Sequence, residues 1–249
     1  MYVARLDKKP FYRTQRLSIS KWNNGHPSNP QILRFETKTG NAEDPRCFLL
    51  NGEPACVFND NKRMYLGYLN SETCFLLKKP PFKKQRREKN WSPFVFNNKL
   101  HVLYGPGKVV EYTGDTPTRV YLSAPPKVGT SKEEIRGGTQ LVQHKEYLYT
   151  IFHIRDTLPK VVVYWTGLME LDATPPFAAR RWSRSALWKP HLVDDTMVPP
   201  KPFTSDMQVT FPTHLEIDSD GNVLVLAGYH DVTDQVIRFN LNNVLQFIE

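Results

Sequence analysis

The chain has 249 residues, 40% of them apolar, and a formal net charge of +8. That length and apolar content can bury a sizeable core and exclude a disordered chain. No run of eighteen apolar residues occurs, which excludes a transmembrane helix, and the first nine residues lack the apolar centre of a signal peptide. The basic excess favours an anionic partner: nucleic acid, a membrane surface or a phosphorylated small molecule. Cys47, Cys56 and Cys74 lie in short apolar runs at no zinc-ligand spacing, so free buried thiols in a reducing, cytoplasmic setting are expected.

Helix signals are scarce, because twenty prolines and thirteen glycines interrupt nearly every window of helical period. Strand signals are dense. Residues 1–40 read as the N-terminal strands of an incomplete sheet, with 31–36 the clearest of them. The first full group of strands is expected at 47–50, 55–59, 64–69 and 73–77, and the second at 94–97, 100–104, 108–112 and 118–122. A third follows at 139–143, 147–153, 161–167 and 177–182, and a fourth at 213–217, 223–228, 236–240 and 244–248. Asn51-Gly52, Asn97-Asn98 and Asp220-Gly221 read as hairpin turns, and 123–130 and 190–202 as loops.

Each group opens on a polar signature. These are Glu43-Asp44-Pro45-Arg46, Lys89-Asn90-Trp91-Ser92-Pro93, Arg136-Gly137-Gly138-Thr139 and Phe211-Pro212-Thr213-His214, the first three about 47 residues apart. Four-stranded units at such a period predict an all-β fold, a five-bladed β-propeller in a single domain over 1–249, with four blades in 41–249. The first strand of each blade lines the axis, so the openings are expected to converge. In the first opening, Pro45 biases Asp44 toward an extended conformation, and Glu43 and Asp44 are expected to point to opposite sides. Arg46 is either a local counter-ion or a ligand.

The segment 78–89 is strongly basic and reads as a solvated loop or an anion-binding patch. No zinc finger, helix-turn-helix or aromatic RNP pattern accompanies it, so nucleic acid is not the expected partner. Asp218-Ser219-Asp220 matches the Asp-x-Asp of metal-dependent transferases, but turn chemistry explains it and no metal site is expected.

Taken in order, Glu43-Asp44-Pro45-Arg46, Lys89-Asn90, Ile151-Phe152-His153, Tyr164 and Gly167 with Pro175-Pro176, Phe211-Pro212 and Gly228-Tyr229-His230-Asp231 form a series. The series resembles the five-bladed propellers of glycoside hydrolase family 130, the β-mannoside phosphorylases and hydrolases, and related β-mannosyltransferase-like proteins. The resemblance covers roughly 28–249. It implies inverting chemistry at a β-glycosidic bond, with Asp44 at the position of the catalytic acid, His153 at that of the family's histidine and Asp231 at that of its late aspartate.

Glycosyl transfer with inversion needs a group that moves a proton and a positive environment for a departing or attacking phosphate. Arg46, Lys89 and Arg136 are the candidate cations. Asp44, close to Arg46, suits a base. Glu43, Asn90, Tyr164, His153, His214, His230 and Asp231 are candidate substrate ligands. Trp91 is either a platform for a sugar face or a core residue. The first expectation is an inverting glycosyltransferase with no cofactor or metal, taking a sugar-nucleotide or sugar-phosphate donor and a glycan acceptor. The rivals are a phosphorylase or hydrolase with Asp44 as acid, and a catalytically silent glycan-binding propeller.

Overall fold

The computed structural model describes residues 2–8, 15–23, 26–27, 31–82, 88–126, 135–157, 162–187, 207–229 and 233–248. The fold is all-β. Among the described residues the single helix is α1 (Leu241–Leu245). None is long and apolar enough to cross a membrane. The predicted loop at 190–202 and the end of that at 123–130 lie outside the described residues. The chain divides into two compact units, Met1–Tyr104 with Val109–Val120, and Gly105–Lys108 with Tyr121–Glu249.

In the first unit, β1 (Tyr2–Lys8), β2 (Gln15–Asn23), β3 (His26–Pro27) and β4 (Gln31–Ile32) make one sheet. The strand expected at 31–36 is only two residues long. The next sheet is a meander of β5 (Glu43–Leu50), β6 (Glu53–Asn59), β7 (Met64–Tyr68) and β8 (Thr73–Leu76). β9 (Ser92–Phe96), β10 (Lys99–Gly105), β11 (Lys108–Thr113) and β12 (Thr116–Leu122) repeat it. The turns are the ones the sequence dictates: φ is +53° and +81° at Asn51-Gly52, and +49° and +58° at Asn97-Asn98. Left-handed backbone at both central residues matches the twist of a two-residue hairpin.

Strand β6 shows why its segment is apolar throughout: both faces are covered. Ala55 and Val57 join Leu50, Leu66, Leu100, Val102, Val110 and Trp91 in one core, while Cys56 and Phe58 join Leu17, Leu33 and Tyr65 in another. Burial on both faces replaces alternation with a continuous apolar run. Phe35 stacks on Phe58 with ring centroids 5.0 Å apart, and it lies over Gly67, where a Cβ would fall 2.7 Å from its ring. Cys47, Cys56 and Cys74 are free thiols. Burial pushes the Cys47 thiol up to about 12 and raises Cys56 and Cys74 in the same direction, so none is a ready nucleophile.

The second unit holds β13 (Ile135–Arg136), β14 (Val142–His144), β15 (Tyr147–Thr157), β16 (Val162–Asp172) and β17 (Ala179–Trp182). It continues with β18 (Met207–Ile217), β19 (Asn222–Tyr229) and β20 (Thr233–Asn240). Two expectations fail here. The third and fourth groups are not separate, because β16 pairs in parallel with β18 through Val162↔Met207 and Tyr164↔Val209, giving one eight-stranded sheet. Strand β16 extends past β17 and β18 past β19, and the two overhangs, 162–164 and 207–209, pair with each other. The strand expected at 244–248 is helix and turn instead. Asn240 caps α1, its side chain accepting from the Asn242 amide at 3.1 Å, which favours a helical start over a further strand. Arg181 pairs through two nitrogens with the buried Glu170, at 2.9 and 2.7 Å, and Tyr149 donates to the same carboxylate. Arg181 also donates to the Leu245 carbonyl, tying the helix to the sheet.

Candidate active site

The acidic signature lies inside β5, not before it. Opposite it, Glu43 pairs with Asn59 and Arg46 with Val57, so three steps along β5 face two along β6. The extra residue is a β-bulge centred on Asp44-Pro45. A bulge leaves a residue out of the ladder, and Pro45 has no amide hydrogen to contribute to it.

The bulge overturns two expectations. Asp44 is not extended: its φ is +52°, in the left-handed region that aspartate tolerates better than most residues. The preference imposed by the following proline is overridden by the extra residue and by the bonds around it. Nor do the two acids diverge. Asn59 Nδ2 donates to Asp44 Oδ2 at 3.2 Å, and Asn61 Nδ2 donates to Glu43 Oε1, so the corner between β6 and β7 holds both. The two-residue alternation of a strand does not survive a bulge.

Arg46 is fully buried. Its Nη1 donates to the Asp44 carbonyl at 2.5 Å, and its Nη2 to Asn90 Oδ1 at 3.4 Å. Burial pulls the guanidinium pKa below its usual value, and the charge of Asp44 opposes that. Arg46 therefore ties together the openings of the first two sheets and is not a solvent-facing phosphate ligand. Asn90 also has left-handed backbone, φ +63°, and is buried. Lys89 is half-buried. Trp91 is 1% exposed and packed on Tyr104 and Tyr112, with centroids 5.4 and 6.2 Å away. Its alternative as a sugar platform falls, because the ring is buried in the core. At the described ends of the basic segment, Lys78 pairs with Asp115 and Lys79 with the buried Glu88, while Arg87 lies outside the described residues.

In the second unit, Arg136 stands in register with His153, and His153 with Thr166. His153 is fully buried, its ring 4.8 Å from Phe211 and 5.8 Å from Tyr164. Arg136 and Tyr164 are half-buried. The openings of the third and fourth groups therefore also meet at Gly138, where a Cβ would fall 2.7 Å from Pro212 Cγ and 2.3 Å from the Ile151 carbonyl oxygen. His214 belongs to a different cluster. Gln140 Nε2 donates to its Nδ1 at 3.0 Å, which makes Nε2 the protonated nitrogen and the donor to Glu216 at 3.1 Å. His230 and Asp231 lie outside the described residues.

The His214 bond holds the Glu216 carboxyl below its ordinary value of 4.5, against a smaller opposing effect of burial. A depressed folded value means that the unfolded chain binds protons first as pH falls. The pair's contribution is thus complete above about pH 4.5 and lost as pH drops through the lower folded value. Melting temperatures of wild type and Glu216→Gln are expected to differ at about pH 6 and to converge as the pH falls through the depressed folded value; a gap that widens in acid contradicts the assignment.

Among the described residues, no three His, Cys, Asp or Glu side chains cluster to hold a metal ion. Asp218 accepts from the amides of Asp220 and Asn222 and from the Asn222 side chain, the turn chemistry anticipated for that motif. Asn59, Asn61, Thr166 and Phe211 complete these clusters, and the first three carry no signal in the sequence. Asn59-Asp60-Asn61 reads only as a turn after a strand.

No protein-family model matches the chain, and no curated protein matches it in sequence. Solved structures do match its fold. A hypothetical protein from Leishmania major is 14% identical, with a TM-score of 0.59 over 94% of this chain and 78% of that one. The GDP-Man-dependent mannosyltransferase MPT-1 from Leishmania mexicana is 11% identical, with a TM-score of 0.55 over 96% of this chain and 80% of that one. The mannose phosphorylase MPT-4 from the same organism, solved with a phosphate ion, is 14% identical, with a TM-score of 0.53 over 91% and 75%. The chain thus shares its all-β propeller fold with these structures. At these identities the shared property is the fold.

Proposed function

We propose that the chain is a carbohydrate-active enzyme, an inverting glycosyltransferase that forms a β-glycosidic bond from a sugar-nucleotide or sugar-phosphate donor. The observation that carries this reading is the half-exposed Asp44 carboxylate, held on a left-handed bulge beside the buried Arg46. Backbone strain of this kind persists where surrounding contacts over-determine it, and it concentrates at functional sites. Asp44 removes the proton of an acceptor hydroxyl. The oxygen attacks the anomeric carbon on the face opposite the phosphate, the new C–O bond forms and the phosphate leaves with the old bonding pair. Lys89 offers charge to the phosphate. His153, Tyr164, His230 and Asp231 carry over from the resemblance as substrate ligands, and Arg136 stays a candidate cation from its place at a strand-group opening.

A second reading has its own support in the phosphate bound to the fold relative MPT-4. In it Asp44 acts as acid, and inorganic phosphate attacks the anomeric carbon of a β-glycoside. One experiment separates the two. Thermal shift and turnover are measured with GDP-mannose plus mannose oligosaccharides, and with mannose 1-phosphate or inorganic phosphate plus the same oligosaccharides. A donor that binds only the folded state raises its melting temperature. GDP release with chain elongation supports the transferase. Phosphate-dependent shortening supports the phosphorylase. Oligosaccharide binding with neither reaction replaces the enzyme with a glycan-binding propeller.

A further inference from the structure

Asp44 is a short side chain on a strained bulge, and its own backbone does not determine which carboxylate oxygen is presented to a substrate. Asn59 does. It is fully buried at the end of β6, with every group of its carboxamide engaged in one sense. Nδ2 donates to the Glu43 carbonyl at 3.3 Å and to Asp44 Oδ2 at 3.2 Å. Oδ1 accepts from the Asn61 amide at 2.9 Å. Turning the amide over would set an oxygen against two acceptors and an NH2 against a donor, so the network permits one orientation only. The corner that carries it is itself fixed: Asp60, fully buried, accepts from the amides of Lys62 and Arg63 and from the Tyr65 hydroxyl.

We propose that Asn59 is the positioning residue of the reaction, engaging Asp44 Oδ2 so that Oδ1 is the atom that takes the acceptor proton. Among the described residues Asp44 Oδ1 accepts no hydrogen bond, whereas Oδ2 is occupied. The proposal rests on the reading of Asp44 as the proton-transfer group and adds which oxygen acts and what aims it. A carboxylate released from Asn59 samples rotamers in which neither oxygen lies on the path to the anomeric centre, and misplacement of about 1 Å costs up to about 100-fold in rate.

The test has two arms. The first needs no substrate. In the wild-type protein, the Asn59 side-chain amide protons are followed by NMR as pH is lowered, and again in Asp44→Asn. They are expected to shift as the carboxylates protonate, and to lose most of that shift in Asp44→Asn. Identical titration in both proteins, or none in wild type, overturns the proposal. The second arm is kinetic, with whichever donor the wild-type protein turns over. Asn59→Ala is expected to lower kcat about 10- to 100-fold while KM for the donor stays within about threefold. Asn59→Asp keeps the volume but turns the donor into a like charge, so its rate profile moves upward by about one pH unit or more. A purely structural asparagine would lower the melting temperature and leave kcat and the pH profile of the folded fraction unchanged, and that result overturns the proposal. Wild-type turnover by Asp44→Asn removes the Asp44 reading itself, and the NMR arm then decides alone whether Asn59 holds the carboxylate.

Discussion

Asp44→Asn is expected to melt within a few degrees of wild type and to lose turnover by about two to four orders of magnitude, the share that general acid–base catalysis contributes. The substitution is chosen for what it keeps. Asparagine tolerates the left-handed backbone that Asp44 adopts at φ +52°, so the bulge does not relax. Its carbonyl oxygen still accepts from Asn59, and the bond from Arg46 goes to the backbone carbonyl, which is unchanged. Only the proton acceptor is removed. Glu43→Gln is the matched control. Glu43 accepts from Asn61 through one oxygen, which a glutamine carbonyl supplies equally well, so its rate is expected within about tenfold of wild type. Donor binding by thermal shift and turnover on the same samples check both. Asp44→Asn turning over at the wild-type rate, with the donor still bound, sinks the assignment of Asp44.

Arg46→Ala is expected to reach further, because it removes a fully buried cation that joins two sheet openings. The Asp44 carbonyl and the Asn90 side chain each lose a donor, and a cavity the size of a guanidinium is left behind. Losing hydrogen bonds from a charged donor costs about 1.5–3 kcal/mol each, together a large part of a domain's whole stability. Urea denaturation measures it, with the midpoint falling and the slope unchanged if the folded state stays compact. Arg46→Lys keeps the charge but lacks the planar fork that reaches two acceptors at once, so an intermediate loss is expected. A loss below about 1 kcal/mol for Arg46→Ala means that the bulge is held by Asn59 and Asn61 without it.

The corner at 59–61 and the acidic signature form one object that no reading of either stretch alone reveals. From Glu43 to Arg46 the chain offers a proline, and the local expectation is extended backbone. What decides the backbone there is the pairing with β6, where three residues meet two. That mismatch lies between Glu43↔Asn59 and Arg46↔Val57, pairs across a hairpin, and it carries no mark in either strand. Trp91 makes the same point. The sequence leaves it as either a sugar platform or a core residue, and its burial against Tyr104 and Tyr112 from β10 and β11 makes it core. Both alternatives were open until the partners were known.

The sequence by itself determined what depends on neighbouring residues. Asn51-Gly52 and Asn97-Asn98 force left-handed turns because asparagine and glycine accept positive φ where most residues do not, and the strands on either side follow from apolar runs too short and too interrupted for helices. The all-β fold and the first two meanders were legible for that reason. Tertiary structure decided what depends on partners distant in the chain: the parallel pairing of β16 with β18, the burial of Arg46, the meeting of His153 with Phe211, and the aim of Asp44 by Asn59. Hydrogen bonds and packing between strands act on whatever folding brings within reach, and no periodicity along the chain encodes which side chains those are.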